Sequence, residues 1–318
     1  MSELHKFLFE GLPVRGMLVR LTDSWQQVLQ RRAEKDPWPP EVASLVGQMC
    51  AAGVLMQANI KFDGALVLQV SGDGPVKLAV AEVQPNLRFR GTATVIGPVP
   101  AGAQLQAMVN LRGGGRCAIT LDPHRRHPGQ QPYQGVVALH GDQREPLQQL
   151  SEVLAHYMLQ SEQLDTRLVL AAGPALAAGL LIQRLPVEGA GNLAGCRSED
   201  AGDPDEGFTR IAHLAATLTA EELLTLDADA LLRRLFWQEK LQRYEPRVPS
   251  FGCRCSRDRV RAMLVALGRE ESESLIAERG AVEVGCEFCG QPYRFDAVDV
   301  GEMFTPPARQ APGSATVN

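Results

Sequence analysis

From Met17 the chain alternates. MLVRLT sets apolar and polar side chains on opposite faces, which predicts a strand. The period then lengthens in DSWQQVLQRRA, where Trp25, Val28 and Leu29 share one helical face and Asp23 or Ser24 stands at the cap. PPEVASLVGQMCAAGVLMQAN predicts a buried helix opened by proline, with Cys50 inside it. Period two returns in ALVLQVSGDGPVKLAVAEV, a hairpin with SGDG at its turn. LRFRGTATVI, RCAITLD and YQGVVALHG predict three more strands, and EPLQQLSEVLAHYMLQSEQ an amphipathic helix. The most apolar run, LVLAAGPALAAGLLI, has 15 residues and is broken by Gly173-Pro174. It is short for a bilayer and reads as two buried strands joined by a turn. Strands and helices mixed in this way predict an α+β protein whose first ~185 residues form one α/β core domain with a mainly antiparallel sheet.

The pattern changes at Glu188. EGAGNLAGCRSEDAGDPDEG, ending at Gly207, holds six acids and one arginine and is expected to be a mobile loop. TLTAEELLTLDADALLRRLFWQEKLQRYEP then predicts two helices. Thr219 and Glu222 form a capping box on the first, Asp227 caps the second, and Leu231, Leu232, Leu235 and Phe236 make an apolar stripe. Pro246 and Pro249 are expected to end it. The closing TPPARQAPGSATVN predicts disorder, and the chain contains no internal repeat.

Composition narrows the class. The 318 residues carry a net charge of −5, with 45% hydrophobic and 22% charged residues, as in a globular protein with a sizeable core. The charge argues against a nucleic-acid binder. MSELHKFLFEGLPVRG lacks the apolar run of a signal peptide, so the expected location is cytoplasmic, away from membranes, with thiols reduced. Neither a phosphate-binding loop nor a G-x-S-x-G elbow occurs, and no nucleophile–base pair stands out, so no enzyme is expected. Gly113 to Gly115 predict a hairpin turn, and His124 and His127 a surface loop.

The candidate chemistry lies in sulfur. Of seven cysteines, Cys50, Cys117 and Cys196 stand alone; the first two sit in apolar surroundings as inert core thiols. Cys253 and Cys255 flank one arginine, and Cys286 and Cys289 flank two residues. Two close pairs separated by 30 residues can meet around one tetrahedral zinc ion. Between them, Ser256 caps a helix with Val260, Met263, Leu264 and Leu267 on one face, ended by Gly268. ESESLIAERG predicts a second helix stopped by Gly280, and VEVGCEFCGQPYRFD a strand, a turn at Gly290 and a strand. So small a segment would draw its folding energy from the metal. The one-residue spacer is uncommon in zinc ribbons and also suits disulfide geometry, while Arg254, Arg257, Arg259 and Arg261 would favour thiolates. Three readings stay open on these residues: a redox-switched binding protein, a thiol–disulfide oxidoreductase using Cys286 and Cys289, and a zinc-ribbon interaction module. The last lacks a basic excess, since residues 247 to 301 hold eight arginines against nine acids.

The order and spacing of the four cysteines, followed by Gly290, Tyr293 and Phe295, resemble the thirty-three-kilodalton heat-shock protein family of redox-regulated holdase chaperones. VRGMLVRLTDSWQQVL, KFDGALVLQVSGDGPVKLAV, YQGVVALHGD, SEQLDTRLVL and TLTAEELLTL resemble family segments in family order, whereas LDPHRRHPGQQP, the acidic stretch around Cys196 and the tail do not. The resemblance implies a core domain over 1–187, a loop and helical linker over 188–246, a zinc-binding redox-switch domain over 247–301 and a tail over 302–318. It implies one zinc ion on Cys253, Cys255, Cys286 and Cys289 in a reduced, inactive protein whose zinc domain clamps the linker. Oxidation would form the Cys253–Cys255 and Cys286–Cys289 disulfides and expel zinc. The linker would then open, and the dimerising protein would hold unfolding clients without ATP. The Leu231, Leu232, Leu235 and Phe236 stripe is the candidate client surface.

Overall fold

The computed structural model describes residues 1–34, 36–125, 131–186 and 204–305. It divides into two compact units, Met1–Gly252 and Cys253–Asn318. The expected loop around Cys196, His127 and most of the tail lie outside the described residues.

In the first unit, α2 (Pro40–Asn59) is apolar around its whole circumference and is buried from Val42 to Ala58 apart from a few positions. It is long and apolar enough to cross a membrane, but its surface is taken up by protein. Two sheets enclose it. One is built from β1 (Glu3–Phe9), β2 (Val14–Leu21), β8 (Thr166–Ala172), β9 (Ala177–Arg184) and β10 (Leu241–Arg243), in the order β10-β1-β2-β9-β8. The other contains β3 (Gly64–Ser71), β4 (Val76–Val83), β5 (Arg88–Val95), β6 (Arg116–Pro123), β7 (Tyr133–Ala138) and β11 (Ser250–Phe251), in the order β11-β5-β4-β3-β6-β7. Every pairing is antiparallel except β11 with β5. The apolar 168–182 run is the β8–β9 hairpin, as its pattern predicts.

The outer face of the five-stranded sheet carries a second apolar layer. Phe7, Phe9, Val14, Leu18, Leu180 and Ile182 pack there against three helices from later in the chain. These helices are α5 (Pro204–Ala216), α6 (Ala220–Thr225) and α7 (Ala228–Phe236), while α1 (Asp23–Ala33), α3 (Leu105–Val109) and α4 (Leu150–Glu162) complete the unit.

Several expectations are corrected. Asp23 does not cap α1; the cap position is Thr22, and the Asp23 carboxylate accepts bonds from Ser2 N–H and Oγ–H at 2.7 and 2.8 Å. The prolines do not end α7, which stops at Phe236; the chain then pairs with β1 as β10. The acidic stretch becomes helical at Pro204, so Gly207 lies inside α5. Gly113–Gly115 joins α3 to β6 and is not a hairpin turn; Gly115 N–H donates to Asn110 Oδ1 at 2.7 Å. β1 escaped the pattern because its polar residues, Glu3, His5 and Lys6, interrupt a strand buried on both faces.

Candidate metal centre

The second unit is small. Its buried apolar core is Leu264, Val282, Phe295 and Val300. Around it lie α8 (Arg257–Leu267), α9 (Arg269–Arg279), the antiparallel hairpin β12 (Val282–Gly285) and β13 (Pro292–Phe295), and α10 (Ala297–Met303). Ser256 caps α8 by accepting from Arg259 N–H at 3.2 Å, and Gly268 and Gly280 end α8 and α9 with φ of +106° and +74°. The expected apolar face of α8 is only half used. Leu264 is buried, whereas Met263 and Leu267 are about half exposed.

Local chain geometry presents the sulfurs. Gly290 sits at φ +72°, where a side chain is disfavoured, and closes the turn with bonds from Gly290 N–H to Cys286 O and from Cys286 N–H to Gln291 O at 2.8 and 3.0 Å. This knuckle turns Cys286 and Cys289 toward Cys255, which immediately precedes the α8 cap. All four Sγ atoms lie within 4.8 Å of one another. Zinc–sulfur bonds of ~2.3 Å in a tetrahedron require sulfurs ~3.8 Å apart. Cys253 to Cys286 at 3.6 Å is close to that spacing, and Cys255 to Cys289 at 3.3 Å lies somewhat inside it. The donor set is all sulfur, which suits zinc and other thiophilic ions.

Burial pushes the Cys286 and Cys289 thiols up; the neighbouring sulfurs oppose ionisation of Cys289 further, as does the Cys253 sulfur for Cys286. Backbone N–H groups act the other way: Phe288 and Cys289 donate to Cys286 sulfur, and Gln291 donates to Cys289 sulfur. Tyr293 is hydrogen-bonded to Cys255, which pushes its phenol up to about 12. The expected help from arginine is partly diverted. Arg257 donates to Arg294 O and to Asp299 Oδ1, each at 2.7 Å, and stacks 4.2 Å above the Phe295 ring.

The other sequence candidates fall elsewhere. Cys50 and Cys117 are fully buried, and burial raises both thiols, Cys117 to about 12. His124 sits 3.2 Å from Asp63 and 2.8 Å from Gln84, and belongs to no cluster of metal ligands among the described residues. Leu231, Leu232, Leu235 and Phe236 are buried against the five-stranded sheet, Phe236 standing edge-on to Phe9 at 5.0 Å between ring centroids. The hydrogen-bonded Tyr293 was singled out in the sequence only as an aromatic.

Comparison with known proteins decides the family. The chain matches the family model described as Hsp33 protein over residues 2–296. It belongs to the Hsp33 family. Among Hsp33 relatives, the 33 kDa chaperonin of Chromobacterium violaceum is 45% identical over 303 residues, covering 95% of this chain and 94% of that one. The 33 kDa chaperonin of Nitrosococcus oceani is 41% identical over 304 residues, covering 96% and 94%. In fold, the chain is similar to the crystal structure of the 33 kDa chaperonin from Thermotoga maritima. The TM-score is 0.74 at 18% identity, covering 95% of this chain and 97% of that one. Both the mixed α+β architecture and the kinship expected from the cysteine spacing are thus established.

Proposed function

We propose that this Hsp33 protein is a redox-regulated, ATP-independent holdase, inactive while reduced and zinc-bound. The observation that carries the reading is the gathering of four sulfurs within 4.8 Å in a unit whose buried apolar cluster, among the described residues, is Leu264, Val282, Phe295 and Val300. Cys253, Cys255, Cys286 and Cys289 would hold one zinc ion. The ion, when bound, supplies ~10–16 kcal/mol of folding energy. Oxidation would join Cys253 to Cys255 and Cys286 to Cys289, each bond sending two electrons to a hypochlorous-acid or peroxide oxidant. Disulfide sulfur cannot replace four thiolates, so the small unit loses its fold. Release of α5, α6 and α7 would follow and bare the apolar layer formed by Phe7, Phe9, Leu180 and the Leu231, Leu232, Leu235 and Phe236 stripe.

In this reading residues 1–187 are the chaperone core, 188–246 the moving linker and 247–301 the switch. The protein works in the cytoplasm on unfolding proteins, dimerises when active, and uses neither nucleic acid nor membrane. The oxidoreductase alternative is disfavoured, because Cys286 opens a strand-turn-strand knuckle and burial raises its thiol. The test follows zinc content and aggregation of a heat-unfolded client before and after oxidant. The expected result is zinc release together with suppression by the oxidised form alone. Equal suppression by the reduced, zinc-loaded protein would sink the switch.

A further inference from the structure

Among the described residues, the five-stranded sheet ends on β8 with no strand beyond it. Its hairpin with β9 carries bonds from Gly173 N–H to Leu176 O at the turn, 2.8 Å, and from Arg184 N–H to Asp165 O at the far end, 3.0 Å. Bonded and non-bonded pairs alternate along an antiparallel ladder. The register pairs Thr166 with Gln183, Leu168 with Leu181, Leu170 with Gly179 and Ala172 with Ala177. Backbone N–H and C=O groups of these four β8 residues therefore point away from β9. Among the described residues, no hydrogen bond reaches the outward groups of Leu168 or Leu170.

α4 packs alongside β8, and Leu168 is buried against it. Beside that contact lies a cavity of about 400 Å³, lined by Thr166, Leu168 and Leu170 of β8 and by Ala155 of α4. A larger one, about 760 Å³, continues from Leu170 and Ala172 over the apolar side chains of Leu105 and Met108. Ala220 of α6 lines both. The groove asks for two things at once: backbone donors and acceptors repeating at ~3.3 Å per residue, and apolar side chains. A small apolar molecule leaves the backbone row unsatisfied, and a folded surface does not enter. An extended polypeptide supplies both, by adding a strand.

We propose that the β8 edge groove binds an extended apolar segment of an unfolding protein as a sixth strand. The proposal rests on the holdase reading and gives it a specific site. β8 and α4 lie outside the helices proposed to leave, so the edge survives oxidation. Departure of α6 removes one wall and widens access.

The test uses the full chain, reduced and oxidised, with a fluorescent peptide of alternating valine and threonine followed by anisotropy. Ala155→Trp fills the groove. Ala172→Pro removes an outward N–H while sparing the β9 ladder. The oxidised protein is expected to bind more tightly than the reduced one. Both variants, and N-methylation of alternate peptide amides, should weaken binding about tenfold or more at unchanged zinc release. The N-methylated peptide decides the point even if a variant misfolds. Full-strength binding of that peptide, or unchanged binding by both folded variants, overturns the groove. Intact, N-methyl-sensitive binding in a wild-type protein that never suppresses aggregation upholds the groove and sinks the holdase reading.

Discussion

The sulfur of Cys255 lies 3.3 Å from that of Cys289, so a cysteine of the first pair touches one of the second. Cys253 and Cys286 repeat the relationship at 3.6 Å. Metal held this way staples two stretches separated by 30 residues across a core of four buried apolar side chains. Removing zinc with a chelator is therefore expected to unfold residues 253–305 and leave β1 to β9 intact. Amide exchange would show protection lost over 253–305 and retained over β1 to β9. Cys289→Ser should produce the same pattern without chelator, and retained protection over α8 and α9 would count against the staple.

Phe236 fastens α7 to the sheet through Phe9 and through Phe7, whose ring centroid is 6.2 Å away. Phe236→Ala should cost ~3–5 kcal/mol by leaving a cavity. Faster amide exchange across α7 is expected, with partial suppression of client aggregation by the still-reduced protein.

Gly16 makes room for Phe7: a Cβ added there would fall 2.1 Å from the ring. Gly16→Ala should displace the ring and destabilise the first unit by ~1–3 kcal/mol. Urea melts of the first unit provide the check, and an unshifted midpoint contradicts the packing.

Thiol reactivity should be graded by burial. Cys50 and Cys117 are enclosed and their thiols are raised, so an alkylating reagent should leave both unmodified in the native protein. After chelation, Cys253, Cys255, Cys286 and Cys289 should label first, as read by peptide mass mapping.

Asp23 gives acid sensitivity at the N-terminus. The Ser2 hydroxyl and N–H hold its carboxyl below the ordinary range. A carboxylate with a lowered folded-state pKa stabilises fully above its unfolded value of ~3.9, and that contribution fades as pH falls through the folded value. Asp23 is exposed, so the effect is at most ~1 kcal/mol. Asp23→Asn should lower the urea midpoint at pH 7 and leave it unchanged in acid below the folded value.

Much of this was legible in the chain. Thr219 and Glu222 form their capping box, and Asp227 accepts from Ala230 N–H at 2.7 Å, because caps depend on residues three apart. The strands from β2 to β9 fall on the alternating or apolar runs that predicted them, for the same local reason. Cysteine spacing pointed to one tetrahedral site. Other features depended on distant partners. Asp23 is bonded to Ser2, 21 residues away, and does not cap its helix, and residues 241–243 form a strand by pairing with β1. A local pattern names no such partner. The sequence by itself determined most of the elements, the caps at Thr219, Asp227 and Ser256 and the four-sulfur donor set, all properties of neighbours along the chain. Only the tertiary structure decided which sulfurs touch, which sheet face the linker helices cover and which strand edge stays open. Those depend on contacts between segments far apart in sequence, whose order no periodicity encodes.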